Sequence, residues 1–335
     1  MNTPLEVGIV GCGGMGGGHL KAILSNPGFK LAAVCDVNPA AFDAVPKEVR
    51  RYGDAAEMFA GQRLDLATIV LPNYLYEPTV QLAADHGVNV LCEKPLGHNL
   101  GSCHRIIETA RRQGIRGWVS SQRKYMTHFI AARERLAAMS IDFASVIFTY
   151  YWAPAFAGMG WRGDLQKSGG IAIIDSGWHV FDALYWIMGN PVSVFAQTSA
   201  SRTAPGIDEK AAIQLRYPSG ALANLTISYT VPQNTFEFLF TDQNKAVVIT
   251  YDSLRCFDGG KLVESLEPDK KVEVMETMYS ELLAAAEGEK ATPYITSFEQ
   301  AEEIMTVIDA CYRSAATGEV VKLGSGSLGK TVTVI

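Results

Sequence analysis

Two polar residues one helical turn apart interrupt an apolar stretch near the middle of the chain. Asp175 and His179 lie in the segment 170–188, which the pattern predicts to be a helix opening at Gly169-Gly170. Positions i and i+4 share one helical face. A carboxylate beside an imidazole can orient a general base, which the removal of a hydroxyl proton requires. A simple ion pair on a solvated face is the alternative, and Asp182 on the same face is expected to be structural.

A lysine follows the fourth predicted strand of the first half. Lys94 comes shortly after the apolar run 88–92, and ligands of parallel sheets bind beyond the carboxyl ends of the strands. An ammonium there would stabilise a developing alkoxide. We therefore predict Lys94, Asp175 and His179 as catalytic residues. Glu93 is expected either to hold cofactor ribose or backbone, or to form a salt bridge that supports the fold.

A glycine-rich turn follows the first apolar run, Leu5–Val10. It reads Gly11-Cys12-Gly13-Gly14-Met15-Gly16, fits G-x-G-x-x-G and opens a predicted helix. Such glycines let the backbone approach a pyrophosphate, while the N–H groups of the helix face the anion. The predicted cofactor-binding residues here are Gly11, Gly13, Gly14, Met15 and Gly16. A purely structural turn is the alternative, as helix packing is for His19 just beyond it.

An acidic residue follows at the spacing of a dinucleotide site. Asp36 comes 20 residues after Gly16, at the end of the second predicted strand, where a carboxylate accepts hydrogen bonds from the adenosine ribose. No Arg or Lys follows it in 37–39, and a carboxylate would repel a 2′-phosphate, so NAD is favoured over NADP. Pro72 and Asn73 end the third strand and join Glu93 and Lys94 as predicted cofactor-binding residues.

Three further residues are candidates for binding substrate together with His179. Trp161 and Arg162 lie in the Gly-rich segment 158–164, just before the predicted catalytic helix. An indole and a guanidinium suit the face and the hydroxyl groups of a sugar. Arg123 begins the crossover into the second half of the chain. A solvated surface loop is the alternative for these residues.

Two patterns divide the chain into the domains that must position these residues. In the first 120 residues, short apolar strands alternate with helical stretches, which predicts an α/β Rossmann domain with a doubly wound parallel sheet. Longer strand-like runs then follow, joined by turn signals such as 218–220, which predicts an α+β domain with an antiparallel sheet. Its last helix is expected at Ser297–Thr317, between an N-cap at Ser297 and Gly318. We place the boundary between domains 1–122 and 123–335.

Composition excludes several functional classes. The 335 residues are 48% hydrophobic and 19% charged with a net charge of −6, so no basic surface for nucleic acid is expected. No apolar run is long enough to span a membrane, and no basic segment precedes the first apolar stretch as in a signal peptide. Six scattered cysteines without CxxC spacing indicate a reduced, cytoplasmic protein. The His and Asp spacing fits no standard metal motif, so no metal is expected.

The motifs, in this order and spacing, resemble the Gfo/Idh/MocA oxidoreductases, the family of glucose–fructose oxidoreductase and inositol dehydrogenase. The resemblance rests on the glycine fingerprint, on 71–73 (Leu-Pro-Asn), on 93–95 (Glu-Lys-Pro) and on the Gly-Gly-x₄-Asp-x₃-His pattern of 169–179. It covers nearly the whole chain. One departure is Tyr76, at a place where many members have His, which leaves the substrate subclass open.

The resemblance implies a Rossmann domain followed by an α+β domain with a large, open and mostly antiparallel sheet. The second domain would bind substrate and form a homodimer or homotetramer through its sheet. The implied activity is NAD-dependent hydride transfer with a secondary alcohol of a sugar or cyclic polyol, using Lys94, Asp175 and His179. Two alternatives stay open: an NAD-recycling glycosidase or lyase, and a non-catalytic regulator that binds the dinucleotide.

Overall fold

The computed structural model describes residues 3–152, 158, 160–200, 204–288 and 294–324. By its internal contacts the chain divides into two compact units. Unit 1 contains Met1–Tyr125 and Glu273–Glu302, and unit 2 contains Met126–Val272 and Glu303–Ile335. The predicted boundary between residues 122 and 123 lies near the first crossing of the chain. The return of 273–302 to unit 1 is a feature that the sequence did not indicate.

The strands are numbered in chain order along the described residues. They are β1 (Leu5–Val10), β2 (Phe29–Cys35), β3 (Arg50–Tyr52), β4 (Leu66–Ile69), β5 (Asn89–Glu93), β6 (Gly117–Ser120), β7 (Phe143–Tyr151), β8 (Ser193–Ala200), β9 (Asp208–Arg216), β10 (Leu222–Ser228), β11 (Thr230–Thr241), β12 (Lys245–Thr250), β13 (Leu254–Asp258), β14 (Lys261–Leu266), β15 (Thr296–Ser297) and β16 (Val321–Lys322).

The α-helices are numbered in the same way. They are α1 (Met15–Ser25), α2 (Ala55–Gly61), α3 (Tyr76–Asp85), α4 (Leu100–Gln113), α5 (Thr127–Leu136), α6 (Leu165–Ser168), α7 (Gly177–Met188), α8 (Val274–Ala286) and α9 (Phe298–Thr317). In the part of the chain that the structure describes, no helix has the length and apolarity needed to cross a membrane.

Unit 1 contains the predicted Rossmann sheet. Its seven strands have the order β15-β6-β5-β4-β1-β2-β3. All neighbours are parallel except β15, which is antiparallel to β6. The order reverses at β1, which lies between β2 and β4. In open α/β sheets, ligands bind at the carboxyl ends of the strands beside such a reversal, and the glycine-rich turn follows β1 at that end.

The core of unit 1 includes a helix from late in the chain. Met278, Tyr279 and Leu282 of α8 are buried in one cluster with residues of α1, β1 and β2. The i, i+4 and i+7 spacing of Met278, Leu282 and Ala285 gives α8 its apolar face. The sequence analysis did not predict α8. Its packing explains why the chain returns to unit 1 after β14.

Unit 2 is built on a nine-stranded sheet with the order β14-β13-β12-β11-β7-β10-β9-β8-β16. Its neighbours are antiparallel except β7 and β10, which are parallel. The chain between these two strands includes α7 and the β8–β9 pair, and this long crossover allows the parallel pairing. The predicted mostly antiparallel sheet is confirmed.

The ends of α9 follow the chemistry expected from the sequence. The Ser297 hydroxyl accepts the Gln300 N–H at 3.3 Å, and the Gln300 side chain accepts the Ser297 N–H at 3.0 Å. This is a reciprocal capping box. Gly318 has φ +73°, and its N–H donates to the Ser314 carbonyl at 2.8 Å. The predicted cap and the predicted stop are both present.

Candidate active site

The glycine-rich turn 11–16, here called the glycine loop, is shaped first by its own backbone. Gly11 has φ +94°, and a Cβ there would overlap the carbonyl oxygen of Val70. A Cβ at Gly16 would overlap the carbonyl oxygen of Gly11. These two glycines are therefore required by the close approach of the chain to itself. They fix the turn between β1 and α1.

The other glycines of the loop meet open space. A Cβ at Gly13 or at Gly14 would have no heavy atom within 4 Å, and Gly14 has φ +44°. The helix α1 then begins at Met15, and its first turn has no acidic residue and no side-chain cap. An open cradle at a helix N-terminus fits the pyrophosphate of a dinucleotide. The residues present thus suit the cofactor that the sequence predicted.

Asp36 lies directly beyond β2 and is bound to the glycine loop. Its Oδ2 accepts the N–H of Cys12 at 2.8 Å, and its Oδ1 accepts the N–H of Asn38 at 2.8 Å. Each carboxylate oxygen has a second lone pair, and the side chain is half-buried. The carboxylate is therefore oriented by the backbone and retains the capacity to accept hydrogen bonds from a ribose.

Pro72 and Asn73, the predicted cofactor-binding residues after β4, are less exposed than Gly13 and Gly14 of the glycine loop. Pro72 precedes a short 3₁₀ turn, Asn73–Leu75. Asn73 is buried, and its Nδ2 donates to the carbonyl of Gly97 at 3.5 Å. Tyr76, the departure from the family pattern, begins α3 and is only 1% exposed. Its ring is thus part of the core of unit 1.

Glu93 lies at the centre of a buried polar network, which we call the Glu93 network. Its Oε1 contacts His19 Nε2 at 2.9 Å and accepts the hydroxyl of Ser120 at 2.8 Å. The other nitrogen of His19 is 2.8 Å from the hydroxyl of Tyr279, on α8. This geometry matches the fold-supporting alternative for Glu93 and the packing role expected of His19.

The electrostatics of Glu93 agree with a charged carboxylate. Burial raises its pKa, but hydrogen bonding and charge from His19, together with the charge of Lys94, act in the opposite direction. The net result is a pKa below the usual value. The Glu93 side chain also accepts the backbone N–H of Lys94 at 3.1 Å. Glu93 therefore ties the start of the Lys94 segment to the core.

Lys94 follows β5 directly and is half-buried. The Lys94–Pro95 peptide is cis. Arg123, a predicted substrate residue, is half-buried in the 3₁₀ turn Gln122–Tyr125 of unit 1. Lys124 beside it is buried and donates to the hydroxyl of Thr296 at 2.6 Å. The structure thus assigns Lys94 and Arg123 to unit 1, and Asp175 and His179 to unit 2.

The predicted continuous helix 170–188 is wrong at its beginning. Residues Ala172–Ser176 form a π turn, and regular α7 starts only at Gly177. The N–H of Ser176 donates to the carbonyl of Ile171, five residues earlier, at 3.1 Å. This spacing is that of a π turn, whereas an α-helix bonds residues four apart. Asp175 therefore lies in the π turn, and His179 lies in the first turn of α7. The sequence could not indicate this because side chains from other elements hold the turn.

Asp175 and His179 are the partly accessible residues of an otherwise buried stretch. The Asp175 side chain is 18% exposed. His179 is half-buried, with its ring centroid 6.4 Å from that of Phe148 in an edge-on arrangement. Trp178, on the helix between them, is completely buried, and Asp182 is 2% exposed. Asp182 thus has the structural burial that the sequence analysis expected.

Trp161 and Arg162 lie beside Asp175. The Arg162 Nε is 3.4 Å from Asp175 Oδ2, and the guanidinium lies over the Trp161 ring, 4.4 Å from its centroid. Both residues belong to the 3₁₀ turn Gly160–Gly163. Within unit 2 the structure therefore brings together three predicted residues, Trp161, Arg162 and Asp175, and places His179 four residues after Asp175, at the start of α7.

A tyrosine that the sequence analysis missed also borders Asp175. The hydroxyl of Ser176 donates to that of Tyr229 at 2.5 Å. Burial, followed by the charge of Asp175, raises the pKa of Tyr229 well above its ordinary value. The ring of Trp152 stacks on Tyr229 at 5.9 Å. Only long-range pairing places Tyr229 here, so no local signal could have identified it.

In the described ranges, no group of three or more His, Cys, Asp or Glu side chains is arranged to hold a metal ion. Unit 1 thus contributes an ammonium and a backbone cradle for a dinucleotide, and unit 2 contributes an imidazole, a carboxylate and a guanidinium.

Comparison with known families agrees with this geometry. Residues 5–121 match the model described as "Oxidoreductase family, NAD-binding Rossmann fold", and residues 140–250 match the "GFO/IDH/MocA C-terminal domain". The chain belongs to the Gfo/Idh/MocA oxidoreductase family. The predicted family, the predicted fold class and the predicted enzyme class, an NAD(P)-dependent oxidoreductase acting on CH–OH groups, are confirmed.

Several members of the Gfo/Idh/MocA family are similar to this chain. D-xylose 1-dehydrogenase (NADP(+)) 2 from Haloferax volcanii is 26% identical over 336 residues, which cover 94% of this chain and 99% of that protein. Inositol 2-dehydrogenase from Burkholderia cenocepacia is 29% identical over 191 residues, 55% of each protein. The solved structure of levoglucosan dehydrogenase with NADH and L-sorbose has a TM-score of 0.87 at 19% identity, covering 96% of this chain and all of that chain.

Proposed function

We propose that this protein is an NAD-dependent dehydrogenase that oxidises a secondary alcohol of a sugar or cyclic polyol, or catalyses the reverse reduction. One observation carries the proposal. Asp175 and His179 remain partly accessible on a segment whose other side chains are almost all buried. A carboxylate and an imidazole that share the accessible part of a buried segment can be reached by a substrate, which favours a chemical role. The names of the relatives, xylose and inositol dehydrogenases, support the substrate class.

In the proposed reaction, each residue has a separate task. His179 accepts the hydroxyl proton of the substrate as general base, and Asp175 orients the imidazole. The Lys94 ammonium stabilises the oxygen on which negative charge develops. The bound cofactor supplies the hydride acceptor. Arg162, stacked on Trp161, and Arg123 bind substrate hydroxyl groups, while the Trp161 ring packs against the sugar face.

NAD rather than NADP is the proposed cofactor. Asp36 presents a carboxylate at the place of the adenosine ribose, where a 2′-phosphate would be repelled. The guanidinium of Arg51, the nearest arginine along the paired strands, donates to the carbonyls of Val45 and Pro46 at 2.9 and 3.0 Å. It is therefore already bound to the backbone. A lower Kd for NAD than for NADP, measured by calorimetry, would support this choice, and the reverse would contradict it.

We further propose a homodimer or homotetramer formed through the sheet of unit 2. Along β9 the side chains alternate, so that Ala211, Ile213 and Leu215 are buried whereas Lys210, Gln214 and Arg216 are exposed. The exposed apolar residues Leu222 and Ile147 lie on the neighbouring strands β10 and β7. A monomer in light scattering at micromolar concentration would contradict this. The six free thiols agree with the proposed cytoplasmic setting.

The first experiment is a substrate screen with NAD, followed by NADH absorbance. The panel contains aldoses, polyols and sugar derivatives, and Lys94→Ala is measured beside the wild-type protein. Lys30→Ala is the control, because Lys30 is exposed and pairs with Glu6 at 2.7 Å on the surface of unit 1. A signal with one substrate class that Lys94→Ala loses and Lys30→Ala keeps would establish the dehydrogenase.

Absence of any signal while NAD still binds would overturn the proposal. Product formation without net NADH would then identify a glycosidase or lyase that recycles NAD. Absence of product as well would identify a regulator that binds the dinucleotide.

A further inference from the structure

A buried carboxylate from a distant strand holds the π turn that carries Asp175. Asp208, the first residue of β9, is 5% exposed. Its Oδ1 accepts the N–H of Ile171 at 2.7 Å, and its Oδ2 accepts the N–H of Ile173 at 2.8 Å. Both oxygens of one carboxylate thus bind the backbone where the π turn begins. Such charge-assisted bonds to backbone N–H groups are stronger than neutral ones.

Two other residues are adapted to this arrangement. The hydroxyl of Tyr312, on α9, donates to Asp208 Oδ2 at 3.2 Å. Gly170 has φ +129°, and a Cβ there would lie 2.6 Å from Asp208 Oδ1 and would overlap the Tyr312 hydroxyl. The second glycine of the Gly-Gly pair is therefore required by Asp208 and Tyr312, and not only by the start of a helix.

We propose that Asp208 is a positioning residue of this enzyme, which acts by fixing the π turn and thereby aiming Asp175 relative to His179. The inference rests on the proposed function of Asp175 and His179. A π turn contains one residue more than an α turn between the same hydrogen-bonded groups. If the turn relaxed to regular α-helix, the side chains before Gly177 would rotate with respect to those after it. Asp208 touches neither substrate nor cofactor in this scheme.

The ionisation of Asp208 gives the proposal a pH signature. Burial raises the pKa of this carboxyl to about 6, against the opposing effect of the two backbone N–H groups and Tyr312. The titratable groups coupled to it are Tyr312 of α9 and Tyr229, which follows β10. The ionised carboxylate accepts both N–H groups, whereas the protonated form has one acceptor oxygen fewer. Activity should therefore fall as Asp208 becomes protonated.

The pH dependence that Asp208 gives to folding stability has the opposite sign to its effect on activity. Because its folded-state pKa is raised, the folded protein binds this proton more tightly than the unfolded chain. The contribution of Asp208 to stability therefore decreases as pH rises from the ordinary value of 3.8 to about 6 and is constant above that range. Loss of activity near pH 6 would thus not be accompanied by loss of stability from this group.

The test compares Asp208→Asn, Tyr312→Phe and a matched control, Tyr217→Phe. Tyr217 is a buried tyrosine of unit 2 whose hydroxyl has no hydrogen-bond partner among the described residues. In Asp208→Asn we expect kcat to fall by about 10²-fold, the scale of a small misplacement of catalytic groups. The KM for NAD should not change. Amide hydrogen exchange should accelerate in the segment 169–179 and not elsewhere.

Tyr312→Phe keeps the carboxylate but removes a donor that lowers its pKa. The acid limb of the kcat profile should therefore move to higher pH, while Tyr217→Phe leaves it unchanged. A merely structural role would not move this limb. If Asp208→Asn does not fold, the acid limb of Tyr312→Phe decides the question, and an unmoved limb overturns the inference.

Two other outcomes would overturn it. One is a kcat for Asp208→Asn within twofold of the wild-type value. The other is exchange protection of Ile171 and Ile173 that is retained in this variant. If the wild-type protein oxidises no member of the substrate panel, the proposed function fails. The exchange measurement still reports whether Asp208 holds the turn.

Discussion

In unit 1 the glycine loop takes its shape from backbone atoms, whereas in unit 2 Asp175 and His179 are held by side chains distant in the sequence. Gly11 approaches the carbonyl oxygen of Val70, just beyond the neighbouring strand β4, and Gly16 approaches that of Gly11, so backbone atoms determine the turn. The π turn depends instead on Asp208, which lies 37 and 35 residues after the two residues whose N–H groups it accepts. The glycine loop and the π turn are thus positioned by different kinds of contact.

This difference separates two kinds of requirement. A backbone cradle for a pyrophosphate needs only the absence of side chains and the presence of N–H groups. An acid–base pair needs particular functional groups at defined angles, which a network of buried polar partners must hold. Changes in the glycine loop should therefore alter cofactor affinity, and changes at Asp175 or His179 should alter the rate of the chemical step.

The largest effect is expected for His179→Gln. Loss of the general base should lower kcat by roughly 10²–10⁴-fold. The Kd for NAD should stay the same, because the glycine loop and Asp36 belong to unit 1. The measurement is steady-state kinetics with the best substrate of the panel, together with calorimetry of NAD binding.

The control for this variant is His104→Gln. His104 is 51% exposed and lies 3.3 Å from Glu302, so its replacement should leave kcat unchanged. A kcat for His179→Gln within tenfold of the wild-type value would show that another group accepts the proton. A parallel loss of NAD affinity would show that the comparison between the two units is wrong.

Much of the fold follows from local signals in the sequence. The first strand, Leu5–Val10, has the predicted bounds, and α9 lies within the predicted helix Ser297–Thr317, because an apolar pattern and clear end residues mark both. The helices α5 and α8 were missed, although the spacing of Met278, Leu282 and Ala285 in α8 would have revealed its apolar face. The membership of α8 in unit 1 was not available from any local pattern.

Some residues of the candidate site could be predicted from local patterns in the sequence, and others could not. The glycine loop, Lys94, Asp175 and His179 belong to short motifs whose spacing is visible along the chain. Tyr229 and Asp208 become neighbours of the π turn only through the pairing of β9 and β10. The π turn itself was predicted as regular helix, because periodicity alone contains no information about the distant carboxylate that opens it.

The variant Glu93→Gln tests whether the stability of unit 1 also depends on buried side-chain contacts. Its contacts to His19 and Ser120 are buried, and loss of one partner of a buried pair costs about 3 kcal/mol of unfolding free energy. We expect a loss of that size for Glu93→Gln in denaturant titration at neutral pH. The pKa of Glu93 is lowered, so its contribution is complete above the ordinary pKa of 4.5 and disappears as pH falls through the folded-state value.

Glu77→Gln provides the matched comparison. Glu77 binds Arg105 through two contacts of 2.7 and 2.9 Å, and its pKa is also lowered, but the Arg105 side chain is 55% exposed. An exposed pair of this kind contributes less than about 1 kcal/mol. Equal losses in the two variants would mean that burial does not distinguish the Glu93 network from a surface ion pair.

The smallest effect is expected for Gly13→Ala, and it tests the backbone cradle most directly. A Cβ at Gly13 meets nothing within 4 Å, so the free energy of unfolding should not decrease. In the complex the methyl group would enter the space of the pyrophosphate, and we expect the Kd for NAD to rise about tenfold, or about 1.4 kcal/mol. Calorimetry and thermal unfolding on the same samples separate the two quantities.

Gly18→Ala is the control, because Gly18 lies within α1 and its Cβ would make an ordinary contact of 3.9 Å with Met275. Alanine is favoured over glycine in a helix by up to about 1 kcal/mol, so this variant should be more stable and bind NAD as before. If Gly13→Ala binds NAD as tightly as the wild-type protein, the open space above the loop does not receive the pyrophosphate. The shape of the glycine loop would then be explained by its backbone contacts alone, such as those at Gly11 and Gly16.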